Sequence, residues 1–144
     1  MEDTQDAQDD QNVQELLQQF RYLKDQRDLF VGQLELMNAS LGNIINTKNT
    51  LENLKTVKEN EEILIPIGGI ANIKAIIKDI KNVILFVNQD IAIEKTIDSS
   101  IEFINKIIEQ HNEQIKFLRE QIQNMDTRLQ SMSQTFQKTL PQES

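Results

Sequence analysis

Residues 63–96 read ILIPIGGIANIKAIIKDIKNVILFVNQDIAIEKT. Four short runs rich in Ile and Val stand out: Ile63–Ile67, Ile70–Ile77, Val83–Val87 and Ile91–Glu94. β-branched residues at a period of about 2 favour strands. Turn formers separate the runs: Gly68-Gly69, then Asp79 to Asn82, then Asn88-Gln89-Asp90. The stretch reads as two consecutive β-hairpins. Pro66 has no N–H for a ladder and belongs on an edge or at a bulge.

On both sides of this stretch the period changes to about 3.5. N-terminal to it, Val13, Leu16, Phe20, Leu23, Arg27, Phe30, Leu34, Met37, Leu41, Ile44, Lys48 and Leu51 keep alternating steps of three and four, and ten of the twelve are apolar. C-terminal to it, Ile101, Ile104, Ile108, His111, Ile115, Leu118, Ile122, Met125, Leu129, Met132 and Phe136 do the same, with His111 the one polar member. This is the spacing of a coiled-coil seam. Gly32 and Gly42 fall off the seam and weaken the helix without removing a seam contact. No Gly or Pro occurs from Lys95 to Leu140, and Pro141 stops the helix. Thr96, with Ser99 three residues on, is placed to cap its start. Each helix, about 45 residues, would run roughly 65–70 Å. Returned by a small β unit, the helices are expected to lie antiparallel. Residue i then faces a residue numbered about 153 − i, with both termini at one tip, away from the strands.

The expected fold class is α+β: a long antiparallel two-helix coiled coil joined by two β-hairpins that form an oligomeric β-barrel. The expected segments are an acidic flexible tail over 1–12, helix over 13–60, hairpins over 61–95, helix over 96–140 and a short tail over 141–144. Composition agrees. Of 144 residues, 38% are apolar and 5% aromatic, with no Trp, which is thin for a globular core and ample for a seam. The net charge of −8 leaves no basic stripe for nucleic acid and repels an anionic membrane surface. Five acids in the first ten residues, without a base, read as a solubilising tail or as a guard for basic clients. There is no Cys, so disulfides and thiolate chemistry are excluded. No apolar run reaches the ~18 residues of a membrane span, and the start carries no signal-peptide pattern. The expectation is a soluble, cytoplasmic protein.

Little in the chain suggests catalysis. His111 is the single histidine, on the seam, with Glu113 nearby and no further ligand set. It reads as a polar seam residue that, like Arg27 and Lys48, sets register. Gly68-Gly69 lacks the Gly-Lys-Ser/Thr of a phosphate loop and reads as a turn. Glu94-Lys95 reads as an exposed ion pair. No enzyme, cofactor or metal is expected.

Exposed apolar side chains carry more information. Isolated hairpins are marginal in water and their edges invite pairing. These strands are apolar on both faces, so they are expected to associate with other chains. The residues assigned to that role are Ile63, Ile65, Ile67, Ile73, Val83, Leu85, Val87, Ile91 and Ile93. Tyr22, Leu29 and Leu36 share one heptad position turned away from the seam, Phe117 matches them on the second helix, and Leu17, Val31 and Ile45 widen one flank. These pack on a neighbouring subunit or form a surface for partly folded protein. At the open tip the client-binding candidates are Leu17, Phe20, Leu23, Met132, Phe136 and Leu140. Met adapts to varied partners.

The order helix, two hairpins, helix resembles the prefoldin family, and two hairpins rather than one resemble its alpha class. Ile65-Pro66-Ile67-Gly68-Gly69 looks like the family's V-P-hydrophobic-G strand end, and Ile93-Glu94-Lys95-Thr96 like its V-E-K-T/S step into the second helix. The likeness covers about Val13 to Leu140. The turn at Asn88-Gln89-Asp90 departs from it, since the family often has glycines and an aromatic there. The resemblance implies an ATP-independent co-chaperone in a hexamer of two alpha-class and four beta-class subunits. Its strands would form β-barrels, and its coiled-coil tips would hold non-native proteins and pass them to a group II chaperonin. A gamma-like, filament-building member, or a structural or adaptor coiled coil, is the other reading.

Overall fold

The heptad seams become two helices. α1 spans Glu2–Leu54 and α2 spans Ile97–Thr139. The structure is a computed structural model that describes residues 2–139. It divides into two compact units, one of the described residues up to Ala39 and from Asn112 onward, the other Ser40–His111.

In the first unit Leu23, Ile115 and Leu118 are buried between the helices. Arg27 Nε donates to Asp126 Oδ1 at 2.8 Å. Phe20 and Phe136 meet edge to face, with ring centroids 5.8 Å apart, the arrangement that ring quadrupoles favour. In the second unit Leu51, Ile97, Ile101 and Ile104 form the core, with Ile44, Leu54, Val83 and Ile108 packed on it. Lys55 pairs with Asp98. Within each unit the helices are antiparallel, and both Arg27–Asp126 and Lys55–Asp98 have numbers that add to 153. Among the expected seam positions only Val13, at 37% exposure, lies open; the others are buried or half-buried.

The bounds of α1 differ from expectation at both ends. Residues 2–12, expected as an acidic tail, are helical, and α1 begins at Glu2. Carboxylates are favourable near a helix N-terminus, and nothing there breaks the helix. α1 stops at Leu54 rather than running to 60. Thr56 N–H and Val57 N–H fold back on the carbonyls of Asn53 and Leu54 at 3.1 and 3.2 Å. Asn60 then adopts φ 65°, a left-handed conformation that Asn tolerates. The start of α2 matches its reading: Thr96 Oγ1 accepts from Ser99 N–H at 3.1 Å, a capping bond. Leu140 and residues 141–144 lie outside the described residues.

β1 (Glu62–Pro66) pairs antiparallel with β2 (Asn72–Ile76), and β3 (Asn82–Phe86) with β4 (Ala92–Thr96). They form two separate two-stranded sheets. The second repeats the register of the first displaced by twenty residues: Glu62↔Ile76 becomes Asn82↔Thr96. Both turns close alike, by Ile67 N–H to Ala71 O at 2.8 Å and Val87 N–H to Ile91 O at 2.9 Å. The first turn uses Gly68 at φ 94°, which suits a residue without Cβ. The second uses Asn88, whose Oδ1 accepts from the N–H groups of Asp90 and Ile91, each at 2.9 Å. Ile70, expected in a strand, sits in the first turn and is fully exposed. Between the hairpins Asp79 Oδ1 accepts from Lys81 N–H at 2.9 Å and Asn82 N–H at 3.1 Å.

These bonds, led by Lys81 N–H, hold the Asp79 carboxyl below its ordinary 3.8. A depressed folded pKa stabilises above the unfolded value, and that contribution is lost as pH falls through the folded pKa. Carboxyl chemical shifts are therefore expected to place Asp79 below 3.8. Asp79→Asn is expected to leave the protein less sensitive to acid below that pH.

Two buried side chains should respond with opposite signs in denaturant melts. Leu118, 2% exposed, should cost about 2–5 kcal/mol on change to Ala. The fully buried hydroxyl of Ser100 has no hydrogen-bond partner among the described residues. Ser100→Ala removes an unsatisfied polar group and adds a better helix former, so it should stabilise by about 1 kcal/mol.

Candidate functional site

The molecule presents apolar surface where a functional side chain would sit. In the first hairpin the pairing Ile63↔Ala75 and Ile65↔Ile73 puts Ile63, Ile65 and Ile73 on one face. Ile63 is half-buried; Ile65, Ile67 and Ile73 are exposed. In the second, Val83↔Lys95 and Leu85↔Ile93 give the matching face. There Val83 and Leu85 are half-buried, while Val87, Ile91 and Ile93 are exposed. The opposite faces are apolar too. Leu64, Ile76, Ile84 and Phe86 are all at least 60% exposed; Leu64, Ile84 and Phe86 form the second apolar face expected from the sequence, although none of the four is among the residues assigned to association. The period-two alternation assigns them to that face.

Backbone groups add to this surface. Among the described residues each two-stranded sheet leaves one edge of each strand without a partner strand. The Ile67–Ala71 bond sets the alternation. It turns the backbone groups of Glu62, Leu64 and Pro66 outward on β1. Pro66, without an N–H, thus stands on the outer edge as its chemistry requires. On β3 the Asn82 N–H is already taken by Asp79.

The first unit carries the second candidate. Leu17 is 39% exposed. Phe20, Met132 and Phe136 are half-buried. Leu23, read as a client-binding candidate, is only 8% exposed; it is a seam residue, reached only where the helices part. Leu140 lies outside the described residues. A depression of about 380 Å³ opens here, lined by Asp9, Asn12, Val13, Leu16 and Thr135. Off the seam, Tyr22, Leu29, Leu36 and Phe117 are more than half exposed, Ile45 is exposed and Val31 is half-buried.

His111 is engaged at both ring nitrogens. Nδ1 lies 3.0 Å from the Ile107 carbonyl, to which it donates, and Nε2 lies 3.1 Å from Ser40 Oγ. Arg27 is held above its ordinary value, first by its hydrogen bond to Asp126 and then by that to Asp28. Among the described residues no group of three or more His, Cys, Asp or Glu is placed to hold a metal ion. No described helix is long and apolar enough to cross a membrane.

The family model described as prefoldin subunit matches residues 23–142. The prefoldin subunit alpha of Pyrococcus horikoshii is 30% identical over 139 residues, covering 96% of this chain and 94% of that protein. Prefoldin subunit alpha 1 of Thermococcus kodakarensis is 36% identical over 105 residues, 73% of this chain and 72% of that protein. Among solved structures, a chain of the filamentous prefoldin of Methanocaldococcus jannaschii, determined by electron cryomicroscopy, superposes with a TM-score of 0.67 at 20% identity, covering 78% of this chain and 93% of that one. The helix–hairpin–hairpin–helix order, the exposed strands and these relatives agree, and the chain belongs to the prefoldin family as an alpha-class subunit.

Proposed function

We propose that this subunit is an ATP-independent co-chaperone that binds non-native proteins at the open end of its coiled coil and delivers them to a group II chaperonin. The observation that supports this most is the opening in which Asp9, Asn12 and Thr135 surround the apolar Val13 and Leu16, beside the exposed Leu17. A client side chain buried there is worth about 1.5–3 kcal/mol at most. Several such contacts on separate coils give avidity without a tight single site. Release then needs no nucleotide, because a competing surface removes the client.

The strands take the second role. Ile65, Ile67, Ile73, Val87, Ile91 and Ile93 are exposed, and burying them against neighbouring subunits removes apolar area from water and fills open edges. In this reading they build the barrel of a hexamer in which two copies of this chain join four beta-class subunits, in the cytoplasm. The alternative occupant of the same edges is a further copy of this chain, which gives filaments. The assembled form of the Methanocaldococcus jannaschii relative makes that the second reading.

Leu17→Ser with Phe20→Ser and Phe136→Ser should lower suppression of client aggregation at least about fivefold, the loss of roughly 1 kcal/mol or more. Subunit assembly by sizing should be unchanged. Full protection by this variant would sink the tip model. Ile65→Lys with Ile93→Lys should have the opposite profile, with assembly lost first. Long filaments of the pure chain in electron micrographs would favour the second reading.

A further inference from the structure

One five-residue pattern occurs three times at intervals of seven: Gln19-Phe20-Arg21-Tyr22-Leu23, Gln26-Arg27-Asp28-Leu29-Phe30 and Gln33-Leu34-Glu35-Leu36-Met37. Each has Gln, two variable residues, and then two apolar side chains. The last residue of each is on the seam. The one before it is not, and Tyr22, Leu29 and Leu36 are 67%, 54% and 73% exposed. Seam packing within this chain does not account for them.

The surface beside them is shaped. One depression of about 160 Å³ is lined by Gln19, Tyr22, Leu23, Arg128 and Met132. Another of about 260 Å³ is lined by Gln33, Leu36, Met37, Gln114 and Leu118. They are the same site twice. Adding fourteen converts Gln19, Tyr22 and Leu23 into Gln33, Leu36 and Met37, and subtracting fourteen converts Met132 and Arg128 into Leu118 and Gln114. The antiparallel register requires that opposite displacement. Midway between them stand Gln26, Leu29 and Phe30 on α1, with Gln121 and Met125, both half-buried, at the matching step of α2. The result is one flank of the coil with a repeat of about 10.5 Å.

We infer that this flank is a docking groove for an amphipathic helix of a client protein, laid along the coil as a third helix. Two arguments select that occupant. The first is charge complementarity. The chain is 26% charged with a net charge of −8, yet of the ten residues lining the two depressions only Arg128 is charged. The groove therefore suits a face that is apolar and uncharged, and desolvating a charge in it is unfavourable. The second is spacing. A helix presents side chains seven apart on one face at about 10.5 Å, matching the repeat. A strand presents same-face side chains at about 6.6 or 13 Å, matching neither. The amides of Gln19, Gln26 and Gln33 give such a helix uncharged rim partners, and Met37, Met125 and Met132 adapt to unlike side chains. The inference rests on the client-binding reading above and gives it a lateral site that shares Leu23 and Met132 with the open-end candidates and continues past them to Leu36 and Leu118.

The test is fluorescence anisotropy with the full chain and a labelled, uncharged peptide of about three heptads, Leu at a and d and Gln or Ser elsewhere. Two control peptides carry a central Pro or Glu at the a positions. The helical peptide should bind, and both controls should bind at least about tenfold more weakly. Leu29→Gln with Leu36→Gln should also weaken binding about tenfold, with an unchanged circular dichroism spectrum because both residues are exposed. Leu17→Ser should lower protection of a denatured client more than it lowers peptide affinity, and Leu29→Gln with Leu36→Gln should do the reverse, so loss of tip function and loss of groove function separate. Equal affinity of the double variant and the parent, or of the Pro-interrupted and helical peptides, overturns the groove.

Discussion

The antiparallel register of α1 on α2 is the constraint on which the rest of the structure depends. Apolar burial at Leu23, Leu51, Ile104, Ile115 and Leu118 supplies the stability, but burial is non-directional and tolerates sliding by a heptad. Polar contacts select the alignment. Arg27 meets Asp126, Lys55 meets Asp98, and Ser40 meets His111. Each exposed ion pair contributes little to stability. A heptad slip would separate the charges and leave Arg27 on the seam without its acid, which is where a polar seam residue acts. The same alignment brings Phe20 onto Phe136 and makes the lateral groove repeat in step on both helices.

The seam was legible because its signal is long. More than five heptads of alternating three and four spacing leave one face apolar, and the residues on it are the ones withdrawn from solvent. The alignment at 153 followed from the symmetry of two equal arrays about the hairpins, and two ion pairs fall on it. Thr96 was legible as a cap because its hydroxyl precedes an uninterrupted apolar array. Helix ends were harder. A run of acids at a chain start has the composition of disorder, yet the same charges are favourable in the first turns of a helix. The stop at Leu54 depends on backbone and side-chain bonds around Asn53, Thr56 and Asn60. A heptad count does not contain them.

The candidate sites were legible in part for the same reason. Periodicity says which face a residue occupies and not how deeply it is covered. Leu23 was read with the open end although the seam covers it. Leu64, Ile84 and Phe86 are legible as the second apolar face of the strands, but not as the more exposed one, and depth of cover is what alternation leaves out. The groove residues Tyr22, Leu29 and Leu36 were visible as off-seam apolar side chains. Their meaning emerged only when α2 supplied the opposite wall.

Two kinds of exposed apolar surface thus coexist, and edges distinguish them. The hairpins pair apolar faces with open backbone donors, which suits permanent burial against other strands. The helical surfaces have their backbone satisfied and offer side chains alone, which suits weak and exchangeable contact. Mapping a bound client along the chain tests this division most directly. The chain has no Cys, so a single introduced Cys carries a photo-crosslinker to one position at a time. A label at Leu17 should capture a chemically denatured client, and a label at Ile70, in the hairpin turn, should not. Capture at Ile70 without capture at Leu17 would contradict the account.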